Sequence, residues 1–169
     1  MSVLSGKDIK RLISGQPPLL GGYGNIEEQL QPNGFDITLK EIGIPQDAGT
    51  IAVDNRNRVI SGSRSVEYDD SGYVKLMPGA YVITFNEVVH LPEDIMALGK
   101  PRSSLLRCGV TIHSAVWDAG YHGRSQALLI VYNPSGFQVQ RNARVLQLVF
   151  LTLSSKTGGY RGIYQGENL

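Results

Sequence analysis

From Gly21 onward the apolar residues of this chain come in short runs, each cut off by glycine, proline or a cluster of Asn, Asp and Ser. That punctuation constrains the fold more than any other feature. A helix that buries one face needs roughly ten or more residues free of such breakers, whereas a strand needs about four to eight. The 20 glycines and 8 prolines therefore read as turns between strands. Candidate strands are Phe35–Ile42, Gly72–Met77, Ala80–Phe85, Asp94–Gly99, Ser125–Tyr132, Phe137–Val139 and Ala143–Thr152. Strands following Met77-Pro78-Gly79 and Asn133-Pro134-Ser135-Gly136 are expected to pair back as hairpins. The expected class is all-β, a sandwich or distorted jelly roll.

The start of the chain reads differently. Ser5 with Asp8 three residues on resembles a capping box, Ile9, Leu12 and Ile13 fall at helical spacing, and Gly15 stops the run. One short N-terminal helix is expected there. Residues 47 to 70 are richer in Arg, Asn, Ser and Asp and read as an excursion outside the core. The tail is polar and glycine-rich yet carries Tyr160, Ile163 and Tyr164, which a merely dangling end rarely needs. With 169 residues, no repeat and no low-complexity tract, one domain over 1–169 is expected.

Sixteen basic and fifteen acidic side chains leave a formal charge of +1, so the chain lacks the overall positive field of a duplex-binding protein. Any anion must be held locally, and no nucleic-acid partner is expected. The single cysteine, Cys108, excludes an internal disulfide and the paired-cysteine zinc site of a Cys-x-x-Cys deaminase. No apolar run approaches membrane-spanning length, and Lys7, Asp8, Lys10 and Arg11 interrupt the N-terminus, which points away from a membrane and toward the cytoplasm. His113 and His122 have no third clustered ligand, and no phosphate-loop, dinucleotide or nucleophile-elbow motif occurs.

Four stretches could carry chemistry. PRSSLLRCG places Arg102, Ser103, Ser104 and Arg107 together, permanent cations beside hydroxyl donors, which is what a triphosphate needs. It could equally be a serine helix start with solvated arginines. In AVWDAGYHG, Asp118 sits between Val116, Trp117 and a turn, at the expected tip of a β-hairpin beside Tyr121. There it could deprotonate a water as a general base, or simply bond its own backbone as turn aspartates do. Tyr121 could lie flat on a sugar or be a half-buried strand residue. In NGFDITLKEIG, Asp36 could help hold Mg²⁺ through water, or be structural. In RVLQLVFLTL, Gln147 is a lone amide in a buried run and needs a partner, either a ligand or a neighbouring strand.

Taken in order, FDITLK, PRSSLLRCG, AVWDAGYHG with the strand running to YN, and RVLQLVF resemble the motifs of the trimeric dUTPase and dCTP deaminase superfamily. YRGIYQG resembles the C-terminal segment of its archaeal, deaminase-like branch, and SGKDIKRLI the N-terminal helix of that branch. The resemblance covers nearly the whole chain. It implies a distorted jelly-roll, β-clip subunit in a homotrimer with active sites at subunit interfaces. It further implies that Arg102, Ser103, Ser104, Arg107 and Gln147 bind the triphosphate and that Asp118 positions the attacking water. Val116 and Trp117 would form the hairpin that reads the pyrimidine, Tyr121 would face the deoxyribose, and Asp36 would lie near a water-bridged Mg²⁺. Tyr160, Tyr164 and Gln165, in a segment spanning about 155–169, would close over the nucleotide.

Both hydrolysis and deamination occur on this framework. The deaminases it resembles place a glutamate three residues before the Asn that ends the strand after the Asp turn, to shuttle protons. Here that strand reads QALLIVYN, with Ile130 at the position and no carboxylate from Arg124 to Asn133. An isoleucine cannot transfer protons, and such assistance contributes about two to four orders of magnitude in rate. The expectation is a Mg²⁺-dependent dUTP diphosphatase giving dUMP and diphosphate, which limits uracil in DNA and supplies dUMP for dTTP synthesis. The alternatives are a dCTP deaminase, a bifunctional deaminase–diphosphatase, and a non-catalytic nucleotide-binding regulator.

Overall fold

A computed structural model of the chain describes residues 2–169. The first element is the expected helix α1 (Gly6–Ile13), capped by Ser5 and Asp8 in a reciprocal capping box, with Ile9 and Ile13 buried. Two further helices are single turns, α2 (Ile26–Gln29) and α3 (Ser103–Arg107). The rest is strand and turn: β1 (Leu20–Gly21), β2 (Leu30–Gln31), β3 (Gly34–Pro45), β4 (Ser63–Ser65), β5 (Tyr73–Leu76), β6 (Gly79–Phe85), β7 (Val88–His90), β8 (Ile95–Pro101), β9 (Val110–His113), β10 (His122–Gly123), β11 (Gln126–Val131), β12 (Phe137–Gln140) and β13 (Arg144–Thr152). The all-β expectation with a short N-terminal helix holds, as a distorted jelly roll whose main sheet is nearly closed. No helix among the described residues is long and apolar enough to cross a membrane.

The main sheet runs β8-β13-β3-β6-β11-β9, with β2 and β4 paired onto β3. β3 is its spine. Its first half, through Thr38, pairs with β13, and from Leu39 onward it pairs with β6, with a register shift at the change of partner. One apolar cluster, from Leu4 and Ile9 to Phe85, Leu129 and Phe150, fills the interior. On β11 the alternation is regular: Ala127, Leu129 and Val131 point into the core, while Gln126 and Leu128 stay exposed on the other face.

Two hairpin expectations are corrected. β6 does not pair with β5 across Met77-Pro78-Gly79, and β12 does not pair with β11 across Asn133-Pro134-Ser135-Gly136. Instead β6 pairs with β11 and β5 with β12, both antiparallel, so the two turn signals sit opposite one another and form a single corner. The physical reason is that a proline lacking its N–H interrupts a ladder whether the chain reverses or only bends. β1, β2, β4, β7, β9 and β10 fall outside the expected strands, and each is only two to four residues long; β7 and β9 illustrate why. Both are short, and they end in the polar residues His90 and His113.

The excursion over 47–70 is present. β4 pairs with the far end of β3, Thr50 and Val59 exchange backbone hydrogen bonds, and Asn55–Asn57 form a 3-10 turn. Ile51, Val53, Val59 and Ile60 are exposed on it.

Candidate active site

Asp118 occupies a turn in which its carbonyl accepts from the Tyr121 N–H at 3.0 Å and Gly120 adopts φ +83°. The expected β-hairpin is not what holds it. Both arms of the turn pair instead with the segment 91–97: Trp117 exchanges backbone hydrogen bonds with Ala97, and the Leu91 N–H donates to the Tyr121 carbonyl. The turn is thus braced by its neighbour rather than by itself, and the Asp118 side chain projects exposed from it.

That turn borders a cavity of about 470 Å³ lined by Val116, Trp117, Asp118, Tyr121, Tyr160 and Tyr164 among others. Residues named from two separate stretches of sequence therefore meet on one wall. Trp117 is buried and forms the floor, its indole N–H donating to Ser125 Oγ at 2.9 Å. Val116 is half exposed, and Tyr121 is buried with its ring edge-on to Tyr160, centroids 5.8 Å apart. Ser125, Gln126, Leu128, Ile60 and Glu167 also line the cavity and were missed by the sequence reading. The strand alternation after the Asp turn puts Gln126 and Leu128 on one face, opposite Ala127 and Leu129, but does not say that this face walls a cavity. Nothing local marked Ile60 or Glu167.

The C-terminal segment folds back along the turn. The Tyr160 N–H donates to the Ala119 carbonyl at 2.8 Å, the Gly166 N–H to the His122 carbonyl at 2.7 Å, and the Arg124 N–H to the Glu167 carbonyl at 2.9 Å. Gln165 does not line the cavity wall. Its side chain donates to the Gly120 carbonyl and accepts from the His122 N–H, tying tail to turn. A Cβ on Gly120 would come within 2.6 Å of the Gly159 Cα, so the close approach as well as the positive φ requires glycine.

The phosphate-binding candidates form a second group, and none of them lines the cavity. Ser103, Ser104 and Arg107 lie exposed on the single turn α3, and Arg102 stands at its N-cap without a side-chain capping bond. Gln147 and Asp36 are opposite one another in the β13–β3 ladder. Asp36 is buried, and its carboxylate takes Arg102 Nε at 2.9 Å, Arg144 Nη1 at 3.8 Å and the Gln31 amide at 3.3 Å. Burial pushes the Asp36 carboxyl above the usual range, against the pull of the Arg102 and Arg144 guanidiniums. Its neighbours are thus cations and an amide donor, an environment that does not fit a resident Mg²⁺ on this carboxylate. Among the described residues there is also no cluster of three or more His, Cys, Asp and Glu side chains.

Two further shifts belong to the cavity. Burial pushes up the Tyr121 phenol, and its hydrogen bond to Glu167 adds to that. Burial also pushes up the Glu167 carboxyl, partly offset by the Tyr121 hydroxyl.

The chain is similar to several known proteins. A Methanosarcina mazei protein named "Probable deoxyuridine 5'-triphosphate nucleotidohydrolase" is 46% identical over 169 residues, spanning 99% of both chains. An Archaeoglobus fulgidus protein of the same name is 47% identical, over 100% of this chain and 99% of its own. Among solved structures, the 2'-deoxycytidine 5'-triphosphate deaminase from Agrobacterium tumefaciens superposes with a TM-score of 0.66 at 22% identity, covering 90% of this chain. This chain spans 49% of that structure's length, and the likeness speaks to the fold. The dCTP deaminase-like family model matches residues 3–153, which takes in α1, every strand and the Asp118 turn. The chain belongs to the dCTP deaminase-like family.

Proposed function

We propose that the protein is a dUTP diphosphatase that hydrolyses dUTP to dUMP and diphosphate. The observation that carries the reading is the cavity on whose wall one exposed carboxylate, Asp118, meets a buried tryptophan and three tyrosines. Such a wall suits a flat base and a sugar, with an acid at its rim to take a proton. The relatives named as deoxyuridine triphosphate nucleotidohydrolases align over the full length and support the same reaction.

In this reading a water held by Asp118 attacks the α-phosphorus and gives its proton to that carboxylate. The bond from the α-phosphorus to the bridging oxygen breaks, and diphosphate leaves. Val116 and Trp117 shape the base pocket, Tyr121 packs on the deoxyribose, and Tyr160, Tyr164 and Gln165 close the segment 155–169 over it. Arg102, Arg107, Ser103, Ser104 and Gln147 hold the phosphates and offset charge that develops in the transition state. Mg²⁺ carried in on the nucleotide would supply further charge compensation at the phosphates, beside the guanidiniums of Arg102 and Arg107. Because the phosphate group of residues and the Asp118 cavity are separate within one chain, we read the functional unit of this 1–169 domain as a homotrimer in which one subunit's clamp serves the next subunit's cavity.

The deaminase reading loses its proton shuttle at Ile130. That residue is half-buried on β11 and faces the same side as Gln126 and Leu128 of the cavity wall. The test is direct: purified protein with Mg²⁺ and either dUTP or dCTP, with diphosphate and ammonia followed separately. Diphosphate from dUTP without ammonia from dCTP is expected. Ammonia from dCTP would restore the deaminase, and dUTP binding with neither product would leave a non-catalytic regulator.

A further inference from the structure

The C-terminal segment and the cavity wall meet at a contact between a phenol and a carboxyl. Tyr121 is buried, and its hydroxyl donates to Glu167 Oε1 at 2.8 Å; both side chains line the cavity. The same ring meets Tyr160 in a T-shaped contact, so the tail touches Tyr121 both at its ring and at its hydroxyl. Gly123 stands beside the contact, where a Cβ would lie 2.7 Å from the phenol oxygen and 3.2 Å from Glu167 Cγ, so the pair closes only over a residue with no side chain. The backbone on either side of Glu167 is fixed as well. Its carbonyl accepts from the Arg124 N–H, and Asn168 trades side-chain and carbonyl hydrogen bonds with Arg124 at 2.9 and 3.0 Å. A carboxyl set among apolar walls needs a donor, and Tyr121 provides it.

We propose that Glu167 is a positioning residue for the nucleotide site: through the Tyr121 hydroxyl it makes closure of the C-terminal segment and orientation of the sugar-facing ring one event. The inference rests on reading the cavity as the nucleotide pocket. Without the latch the tail samples open states more often, and Tyr121 loses the contact that fixes its tip. The cost falls on substrate binding, because a pocket formed only part of the time lowers apparent affinity by that fraction.

The test uses the full chain with Glu167→Ala, Glu167→Gln, Tyr121→Phe and the Glu167→Ala/Tyr121→Phe double variant. Tail opening is read without nucleotide, as the rate at which trypsin cuts after the exposed Arg161, followed by mass; kcat and KM for dUTP are read in parallel. Glu167→Ala and Tyr121→Phe are each expected to speed cleavage roughly five- to thirtyfold and to raise KM by a similar factor with a smaller change in kcat. The double variant should be no worse than either single one. Glu167→Gln, whose amide oxygen still accepts from the phenol, should return both readouts toward wild type. Additive single effects, a Gln variant as open as the Ala variant, or unchanged cleavage would each overturn the latch. So would ammonia release from dCTP that depends on Glu167, since the carboxyl would then be a reacting group. If the wild type releases no diphosphate from dUTP, the proposed function fails while the proteolysis still decides the latch.

Discussion

The Asp36 carboxylate holds Arg102 by its Nε at 2.9 Å, with the acid buried and the guanidinium about one-third exposed. Arg102 Nη1 also donates to the Arg144 carbonyl at 3.3 Å, so two of the three guanidinium nitrogens are engaged by the protein and Nη2 has no protein partner among the described residues. Asp36 thereby sets the direction in which Arg102 can present itself to a phosphate. Asp36→Asn should raise KM for dUTP about ten- to a hundredfold with a smaller effect on kcat, because a guanidinium released from its carboxylate no longer aims its remaining N–H groups at the phosphate. Stability should fall by about 1–3 kcal/mol, less than for a fully buried pair because solvent screens part of Arg102. Initial rates over a Mg²⁺ titration check the idea. If Asp36 instead held the metal, the Mg²⁺ requirement would rise and KM at saturating Mg²⁺ would stay put.

Asp118 differs from Asp36 in burial. It is exposed, and its carbonyl rather than its side chain closes the turn. Asp118→Asn should therefore leave stability within about 0.5 kcal/mol of wild type while cutting diphosphate release by two to four orders of magnitude. Trp117, the single tryptophan, forms the cavity floor, so its fluorescence should still respond to dUTP in the variant. A retained rate would remove Asp118 from the reaction.

What the sequence made legible was local. The Ser5–Asp8 capping box, the buried run of β13 and the cluster at Arg102–Arg107 each lie within a few residues, where local sequence alone carries the physics. Turn chemistry at Pro78 and Pro134 was visible, but its outcome was not, because a proline says that a ladder stops and not which strand is on the other side. The site was partly readable for the same reason. Asp118 and Tyr121 share one turn, whereas Glu167 reaches that turn only because the tail folds back on it, and the Asp36–Arg102 pairing depends on both β8 and β3 flanking β13. Contacts of that kind leave no period in the sequence.

Glu87 carries a structural prediction. It is fully buried, with Oε1 accepting from Gln29 Nε2 at 2.7 Å and Thr38 Oγ1 at 2.8 Å, and Oε2 accepting from the Thr38 N–H at 2.8 Å. These donors converge where β3 changes partner from β13 to β6. An amide in place of the carboxylate would point an N–H₂ at a donor. Glu87→Gln should thus destabilise the protein by about 2–4 kcal/mol, with Glu87→Ala at least as costly since it strips the acceptor from the Thr38 N–H and hydroxyl, while the Gln29 amide keeps only the Asp36 carbonyl. Denaturant melts monitored by Trp117 fluorescence would measure it, and a neutral Gln variant would show that water or rearrangement satisfies the site.

His90 and His122 face each other across the β7–β10 pair, ring centroids 4.7 Å apart. Burial, and then the neighbouring His122, hold the His90 imidazole below its ordinary value. A depressed histidine gives stability that is present above the unfolded value of about 6.5 and is lost as pH falls through the lower folded value. The backbone of His122 also carries the tail, accepting from Gly166 N–H and donating to Gln165 Oε1. Acid should therefore act on two things together: the melting temperature should drop as pH falls below about 6.5, and cleavage after Arg161 should speed up over the same range. His90→Phe keeps a ring against His122 but cannot take a proton, so it should flatten both profiles. An unchanged pH slope in that variant would assign the acid sensitivity to another group.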